Sequence, residues 1–360
     1  MTHPLGSALE AAGVRLAQRL GLMLAVAFSD SATEYAALRT GCGLIDPSFR
    51  GLARLTGEDR TTFLQGMISN DIARCSAGAG VYATMLTVQG RVVSDLRAYV
   101  LEGEIWLDVP AQRRATALAT LEKYIVADDV EIVDADAVPL ILVEGRTAAD
   151  TFARAFGLEV HGLARCAHRQ GEIDGRAVRV AAVTHSGETG YLLLGPAALA
   201  VLAWERALAA GAVPVGFDAL DVARVEAGIA LMDVDMDESV LAPEVGLADA
   251  LSFRKGCYIG QEVVERVASR GNVQKKLMGL KIAGDEPVAA GTELFADDKQ
   301  VGSVTSSVRS PAVGCAIALA YVRRVAWEPG SEVELRTATG SIAATVTALP
   351  FVAGGAAATV

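Results

Sequence analysis

The chain has neither a paired set of cysteines nor a cluster of histidines that could bind a metal. Its five cysteines are scattered without a C-x-x-C spacing, and its four histidines are not spaced as zinc ligands. An odd number of cysteines without a framework is typical of a reducing compartment. The sequence therefore predicts neither a disulfide scaffold nor a metal site.

Long apolar runs, excess positive charge and aromatic residues are also lacking. No apolar stretch approaches the ~18 residues that span a bilayer. Lys and Arg number 32 against 43 Asp and Glu, a net charge of −11, and aromatic residues make up only 5%. A net acidic chain with few aromatic side chains is a poor candidate for binding nucleic acid through bulk charge or base stacking. We expect a cytoplasmic protein with no nucleic-acid partner and no membrane contact.

What is present is ample core material in a chain too long for one small core. The 360 residues are 52% apolar, which indicates two or three domains. A repeated order of strand, hairpin and helix predicts an α+β body of two similar halves, and short strands between Gly and Pro turns predict a small β-barrel. The predicted parts are a helical segment over 1–30 with a helix from Ala8 to Leu24, a body over 31–272 (halves 31–135 and 136–272), a barrel over 273–352 and a fraying tail over 353–360.

The most unusual stretch is an octet that holds one cysteine between two glycines. It comprises Lys255, Gly256, Cys257, Tyr258, Ile259, Gly260, Gln261 and Glu262. The glycines allow positive φ and close backbone approach, and neighbouring cations favour a thiolate if Cys257 is partly exposed. The alternative is a tight turn before a helix, with the cysteine buried as a small hydrophobe.

The octet resembles the K-G-C-[FY]-x-G-Q-E motif of the YgfZ family, a branch of the superfamily that includes the glycine-cleavage T-protein (aminomethyltransferase). Other segments resemble the superfamily in the same order along the chain. They are Gly57–Asp71, Gly90–Leu96, Gly187–Tyr191, Arg224–Gly228 and Gly302–Ala320. The resemblance implies three subdomains arranged around a central site for tetrahydrofolate or a derivative.

The resemblance also implies which residues hold the folate. Glu188 would accept hydrogen bonds from the pterin, because a carboxylate suits a fork of N–H donors; the alternative is a solvated acid in a turn. Arg224 would contact the glutamyl carboxylate or brace the site; the alternative is a surface ion pair with Asp221 or Asp218. The remaining candidate contacts are Met67, Asn70 and Tyr82.

Ser94 and Asp95 decide whether transferase chemistry is retained. In aminomethyltransferases this strand carries paired acids, and one of them assists transfer of the one-carbon unit. Adjacent strand residues point to opposite faces, so only one of the two can face a central site. If that residue is Asp95, a general base survives; if it is Ser94, the chemistry is lost.

These observations support three hypotheses. The first is a folate-binding YgfZ-type protein that supports iron–sulfur enzymes, including those that modify tRNA, with Cys257 as the functional thiol and iron–sulfur proteins or their assembly machinery as partners. The second is a folate-dependent aminomethyltransferase that uses Asp95. The third is a non-enzymatic, folate-responsive adaptor that docks through the octet.

Overall fold

The N-terminal segment folds as a short helix and a hairpin. The computed structural model describes residues 3–269, 273–338 and 340–355. Helix α1 (Gly6–Ala11) is followed by strands β1 (Arg15–Arg19) and β2 (Leu22–Ala27). The predicted helix from Ala8 to Leu24 is wrong beyond Ala11, because Leu20 and Gly21 both adopt positive φ, as the two central residues of a tight hairpin do. Helix α2 (Ser31–Thr40), capped by the Asp30 side chain, and strand β3 (Gly43–Ile45) follow.

The first half of the body is a five-stranded sheet covered by helices on one face. Its elements are β4 (Arg50–Thr56), α3 (Arg60–Met67), β5 (Gly80–Leu86), β6 (Val92–Val100), β7 (Ile105–Pro110), α4 (Arg114–Glu122) and β8 (Glu131–Asp134), in the strand order β5-β6-β7-β4-β8. Strands β6 and β7 are joined by a tight hairpin at Glu102–Gly103, and the order of strand, hairpin and helix agrees with the sequence prediction. Asp59 precedes α3 but its side chain accepts a hydrogen bond from the Asp129 amide instead of capping the helix.

The second half is a six-stranded sheet that also takes in β3. Its further elements are β9 (Val138–Glu144), α5 (Ala148–Phe156), β10 (His168–Ile173), β11 (Arg176–Val183), β12 (Gly190–Gly195), α6 (Ala200–Ala209), β13 (Val213–Pro214) and α7 (Phe217–Glu226), in the strand order β10-β11-β12-β9-β3-β13. Because β3 precedes the first sheet in the chain, the two halves are interlocked. Their cores meet between the sheets, where Leu52, Tyr99 and Leu192 belong to one buried cluster.

The C-terminal part is a closed six-stranded barrel, as predicted. After α8 (Ala242–Val245) and α9 (Gln261–Ser269) come β14 (Lys275–Ile282), β15 (Glu293–Ala296), β16 (Lys299–Arg309), β17 (Ala316–Arg323), β18 (Glu332–Thr337) and β19 (Gly340–Thr347). The last residues of the predicted body, 270–272, lie outside the described part of the chain, as do residues 356–360 of the predicted tail. In the described ranges, no helix is both long and apolar enough to cross a membrane.

Helix α7 joins the body to the barrel through buried polar bonds. Arg224 donates to Ser306 Oγ at 2.8 Å, and the Glu226 carboxylate accepts a hydrogen bond from Ser310 Oγ. The main-chain oxygen of Glu226 also accepts from the amides of Phe351 and Val352, at 2.9 and 3.0 Å. The Arg224–Gly228 segment thus fixes the barrel and the C-terminal segment against the cavity side of the body.

Candidate functional site

Strand β6 presents Asp95, and not Ser94, to the interior between the two sheets. In the register of β5 and β6, Tyr82 is opposite Arg97 and Thr84 is opposite Asp95. Since side chains alternate along a strand, these residues share one face. Ser94 lies on the other face, fully buried, with its Oγ donating to the Asp95 carbonyl at 2.8 Å. The question that the sequence leaves open therefore has a geometric answer: Asp95 lines the cavity.

The central cavity, about 690 Å³ when the space open to solvent is included, is lined by residues from both halves of the body. Its walls carry three aromatic rings, those of Phe49, Tyr82 and Phe217. Polar groups on the walls include Asp95 and His185. A mostly apolar cavity with a few convergent polar groups is the usual form of a small-molecule site.

A second cavity adjoins the first and gives it room to extend. The outer cavity, about 970 Å³ when its opening to solvent is included, shares Tyr82, Arg165 and Thr184 with the central one. The Arg165 guanidinium lies 5.2 Å from the centre of the Tyr82 ring and pairs with Asp249. The shared residues make the pair of cavities suited to an elongated ligand with a compact ring at one end.

A buried ionic network forms the floor of the central cavity. The fully buried Asp108 accepts from Arg50 Nε at 2.6 Å, Arg97 Nη1 at 3.2 Å and the Tyr99 hydroxyl at 3.2 Å. Two guanidinium groups held by one carboxylate leave little freedom to either arginine. Arg50 and Arg97 are therefore fixed beside Asp95.

The Asp95 carboxylate itself has few polar contacts with the described side chains. Its side chain is 10% exposed, and the nearest cation is Arg50, whose Nη1 lies 4.0 Å from Oδ2. Within the described ranges, no side chain donates a hydrogen bond to it. A buried carboxylate without a donor is costly for the protein unless a ligand or water supplies one.

Glu144 and His185 form a second polar pair at the cavity wall. The fully buried Glu144 carboxylate accepts from the amides of His185 and Ser186, at 2.7 and 2.8 Å, and from Ser186 Oγ. His185 Nδ1 lies 2.9 Å from Glu144 Oε1. Burial raises the pKa of Glu144 to about 7, and burial, together with the nearby charge of Arg97 and Arg50, lowers the pKa of His185 well below its usual range.

Glu188 lies behind the cavity wall. Its Oε1 accepts from Arg39 Nη1 at 2.7 Å, and its Oε2 accepts from the Gly355 amide at 3.0 Å. With 8% exposure, it is not the solvated turn acid of the alternative interpretation. The structure puts Gly187, and not Glu188, on the wall of the outer cavity, so both carboxylate oxygens are engaged away from it.

Arg224 lines the central cavity but its guanidinium is fully engaged. It donates to Asp221 at 2.6 Å, Asp235 at 2.6 Å and Ser306 at 2.8 Å, and it is 4% exposed. The alternative of an ion pair with Asp221 therefore has the right partner, but Arg224 is buried and does not lie on the surface. Asp218 pairs instead with Arg15 and Arg19. This arrangement fits the bracing role better than a contact to a ligand carboxylate.

The other predicted folate contacts divide between core and cavity. Tyr82 lines both cavities. Asn70 connects two segments, because its amide donates to the carbonyls of Tyr82 and Asp249, both at 2.8 Å. Met67 is packed in the apolar core of the first half, among residues such as Leu64. Of these three, the structure brings only Tyr82 to the cavity.

The octet is held to the body mainly through Lys255. Its ammonium donates to the carbonyls of Gln65, Ile68 and Asn70, at 2.6, 2.6 and 2.8 Å, at the C-terminal end of α3. It also lies 5.0 Å from the centre of the Tyr258 ring, which is 7% exposed. Burial lowers the pKa of Lys255 to about 8. Lys255 thus satisfies carbonyls at a helix end, where a cation is favourable.

The two glycines of the octet have different roles. Gly260 has φ of +83°, and a Cβ there would lie 2.6 Å from the Thr87 carbonyl, so only glycine fits. Gly256 has open space around it and no positive φ, so the expectation of a close approach is wrong there. Gln261 accepts from the Tyr258 amide at 3.1 Å and donates to Glu265, which closes the turn into α9. Glu262 is exposed.

Cys257 is the exposed member of the octet. It is solvent-accessible, in contrast to the buried Cys42 and Cys166, so its burial as a small hydrophobe is wrong. Among the residues that the structure describes, no group of three or more His, Cys, Asp or Glu side chains could hold a metal ion. Any metal at Cys257 would therefore need ligands from elsewhere.

Several residues of the site were not identified from the sequence. They are Phe49, Arg50, Arg97, Gln112, Glu144 and His185. The sequence signal that could have identified some of them is a polar residue at alternate positions of an otherwise apolar strand, as with Asp95 and Arg97 in β6. Glu144, at the end of the apolar strand β9, gives the same signal.

The fold and the cavity between its halves define the class of protein. The GCVT N-terminal domain family matches residues 5–255, and the glycine cleavage T-protein C-terminal barrel domain family matches residues 275–353. The chain therefore belongs to the glycine cleavage T-protein family.

Relatives and a solved structure agree with this assignment. The chain is 31% identical to an aminomethyltransferase of Rubrobacter xylanophilus, over 97% of this chain and 93% of the relative, and 29% identical to one of Thermosynechococcus vestitus, over 90% and 88%. It shares its fold with the glycine cleavage system aminomethyltransferase T of Bartonella henselae, at a TM-score of 0.90 and 24% identity, over 97% of each chain. These names support the wider superfamily, and the narrower YgfZ branch stays a prediction.

Proposed function

We propose that the protein binds tetrahydrofolate or a derivative in the central cavity and acts as an aminomethyltransferase-type protein with Asp95 as its functional carboxylate. The observation that carries this proposal is the position of Asp95. It faces an aromatic-lined cavity, is nearly buried, and lacks a donor among the described side chains. A carboxylate kept in this state is a candidate general base or ligand acceptor.

The cavity residues suit a reduced pterin. Phe49, Tyr82 and Phe217 offer flat apolar surfaces to a planar ring, and Asp95 offers an acceptor to its N–H groups. The adjoining outer cavity has room for the aminobenzoyl-glutamate part of the molecule. When bound, tetrahydrofolate would supply the nitrogen atoms that accept a one-carbon unit.

The chain's own groups would bind the ligand, shield it from water and accept a proton at Asp95. Burial between the sheets excludes bulk water from Asp95, which strengthens its interactions with a ligand. The floor formed by Arg50, Arg97 and Asp108 holds the Asp95 surroundings rigid, because each arginine is tied to the same carboxylate. Asp95 can then accept a hydrogen bond from an N–H group or take a proton from an amine within reach.

The test is tetrahydrofolate binding by calorimetry, followed by tetrahydrofolate-dependent turnover of an aminomethyl donor. Asp95→Asn should lower turnover about 10²–10⁴-fold, the usual range for loss of general acid–base catalysis, without lowering the melting temperature. Asp136→Asn, at a side chain 93% exposed, is the matched control. Absence of binding by the wild type would overturn the proposal.

A second candidate function rests on the exposed thiol of Cys257. We propose that the octet gives the protein a YgfZ-type role in supporting iron–sulfur enzymes, including those that modify tRNA. Sulfur is the soft ligand that iron and its clusters prefer, and a partner iron–sulfur protein would provide the other ligands. Lys255 anchors the loop, so the thiol is held in a fixed place on the surface.

This candidate is tested in cells that lack the protein. Cys257→Ser should fail to restore the activity of an iron–sulfur enzyme, whereas Cys75→Ser, at a half-buried cysteine outside the octet, should restore it. Full restoration by Cys257→Ser would refute the thiol role. It would leave folate binding at Asp95 unaffected as a separate proposal.

A further inference from the structure

Two residues that line the central cavity each carry a buried acceptor atom with no donor within the described ranges. The atoms are Nε2 of His185 and Oε1 of Gln112. Buried polar side-chain atoms nearly always have a partner, and leaving one unpaired is destabilising. Two such atoms on residues that line one cavity, together with Asp95, call for a common explanation.

The orientation of His185 follows from Glu144. The carboxylate already accepts from two main-chain amides and one hydroxyl, and its ionised form can accept from Nδ1–H as well. With the proton on Nδ1, the Nε2 atom is a bare acceptor. Since the two ring nitrogens point in different directions, Nε2 is directed away from Glu144, and the ring lines the cavity.

Phe49 and main-chain bonds fix the ring in this position. The ring of Phe49 packs edge-on against that of His185, with centroids 5.3 Å apart. The amides of His185 and Ser186 are both tied to Glu144. The acceptor therefore does not need to be ordered by a ligand, which favours binding.

The orientation of Gln112 is also determined by a neighbour. Its amide nitrogen faces the carbonyl oxygen of Met232 at 3.5 Å, and only the NH₂ group can face a carbonyl without repulsion. Oε1 is therefore the end without a partner. Gln112 follows Pro110 at the end of β7, so it approaches the cavity from the first half of the body, whereas His185 approaches from the second.

We propose that His185 Nε2 and Gln112 Oε1 are ligand-recognition groups that accept hydrogen bonds from N–H donors of the bound heterocycle. Together with Asp95 they surround the cavity with acceptors and select a planar ring rich in N–H groups, as the reduced pterin of the proposed function is. Glu144 is a positioning residue, because it sets which nitrogen of His185 carries the proton. This inference rests on the proposed function, and its failure can be told apart from it.

The test is calorimetric binding of tetrahydrofolate at about pH 8, above the pKa of Glu144, where the carboxylate is ionised. His185→Phe and Gln112→Leu should each weaken binding roughly tenfold, because each removes one acceptor from a buried donor. His185→Gln restores an acceptor and should recover part of the loss. Glu144→Gln should weaken binding as well, because a neutral amide is a weaker acceptor for Nδ1–H and must place its NH₂ group against a main-chain amide of His185 or Ser186.

A measurement on the wild type keeps the test valid if a variant fails to fold. In ¹⁵N-histidine spectra, His185 should show a protonated Nδ1 and a bare Nε2, and tetrahydrofolate should shift the Nε2 signal. Wild-type binding with no weakening in the variants, or with no Nε2 shift, would overturn this inference alone. No wild-type binding would overturn the proposed function and this inference together.

Discussion

The central cavity and the octet at 255–262 are built in opposite ways. The cavity is assembled from distant segments, and its charged groups are buried in shared networks around Asp108 and Glu144. The octet is continuous in the chain. Its thiol faces solvent, and its Lys255 side chain donates three hydrogen bonds to the body. A residue of these buried networks therefore affects folding as well as binding. In the octet, Lys255 is expected to affect folding and Cys257 is not.

The largest effect is expected from breaking the floor of the cavity. Asp108→Ala leaves Arg50 and Arg97 buried without their carboxylate, and removal of one partner from a buried ion pair costs about 3–5 kcal/mol. Urea unfolding followed by circular dichroism measures this loss. Asp136→Ala, at an exposed side chain, should change the free energy of unfolding by no more than about 0.5 kcal/mol. Equal effects in the two variants would contradict the structural role of Asp108.

The octet should be most sensitive at Lys255. Lys255→Met leaves the carbonyls of Gln65, Ile68 and Asn70 without their donor, and we expect a loss of about 1–3 kcal/mol in the free energy of unfolding. Lys281→Met is the matched control, because that side chain is exposed on a barrel strand. A loss at Lys255 no greater than at Lys281 would show that the three bonds do not anchor the loop.

The pair of Glu144 and His185 should give the cavity a pH dependence in which two opposite contributions offset each other. The pKa of Glu144 rises on folding from 4.5 to about 7, so its stabilising contribution is present below pH 4.5 and is lost as the pH rises through about 7. The pKa of His185 falls on folding, so stability is lost as the pH falls through 6.5. Between pH 4.5 and 6.5 the two groups therefore change the free energy of unfolding with pH in opposite directions.

Single variants separate the two slopes. In Glu144→Gln, the free energy of unfolding should rise with pH between about 5 and 6.5 more steeply than in the wild type. In His185→Phe, it should fall as the pH rises towards about 7, with a slope of at most about 1.4 kcal/mol per pH unit. Denaturant unfolding at a series of pH values measures both. Slopes unchanged from the wild type in both variants would show that neither group has a shifted pKa.

The sequence predicted more of the fold than of the site, for a physical reason. The strands of the first half and the barrel follow from alternating apolar residues and turn signals, which are local. The hairpin at Arg15–Ala27 was missed because Gly21 alone marks its turn, and Leu20 takes a positive φ that its side chain disfavours.

The site depends on pairings that are distant in the chain. Asp95 could be named from its segment, but its orientation required the register of β5 and β6. Glu188 was expected at the ligand because its segment resembles a folate-binding loop. That its carboxylate is engaged by Arg39 and Gly355, which lie far away in the chain, could not be inferred from that segment.

The smallest effect on folding is expected at Cys257, which sharpens the contrast within the octet. Cys257 is exposed, so Cys257→Ser should change the free energy of unfolding by no more than about 0.5 kcal/mol. Cys42→Ser is the informative comparison, because that side chain is 2% exposed in the core and a hydroxyl costs more to bury than a thiol, so we expect a larger loss than at Cys257. Both values come from the same urea titration. A large loss at Cys257 would mean that the thiol packs against the body, and a failure of Cys257→Ser in cells would then reflect folding instead of sulfur chemistry.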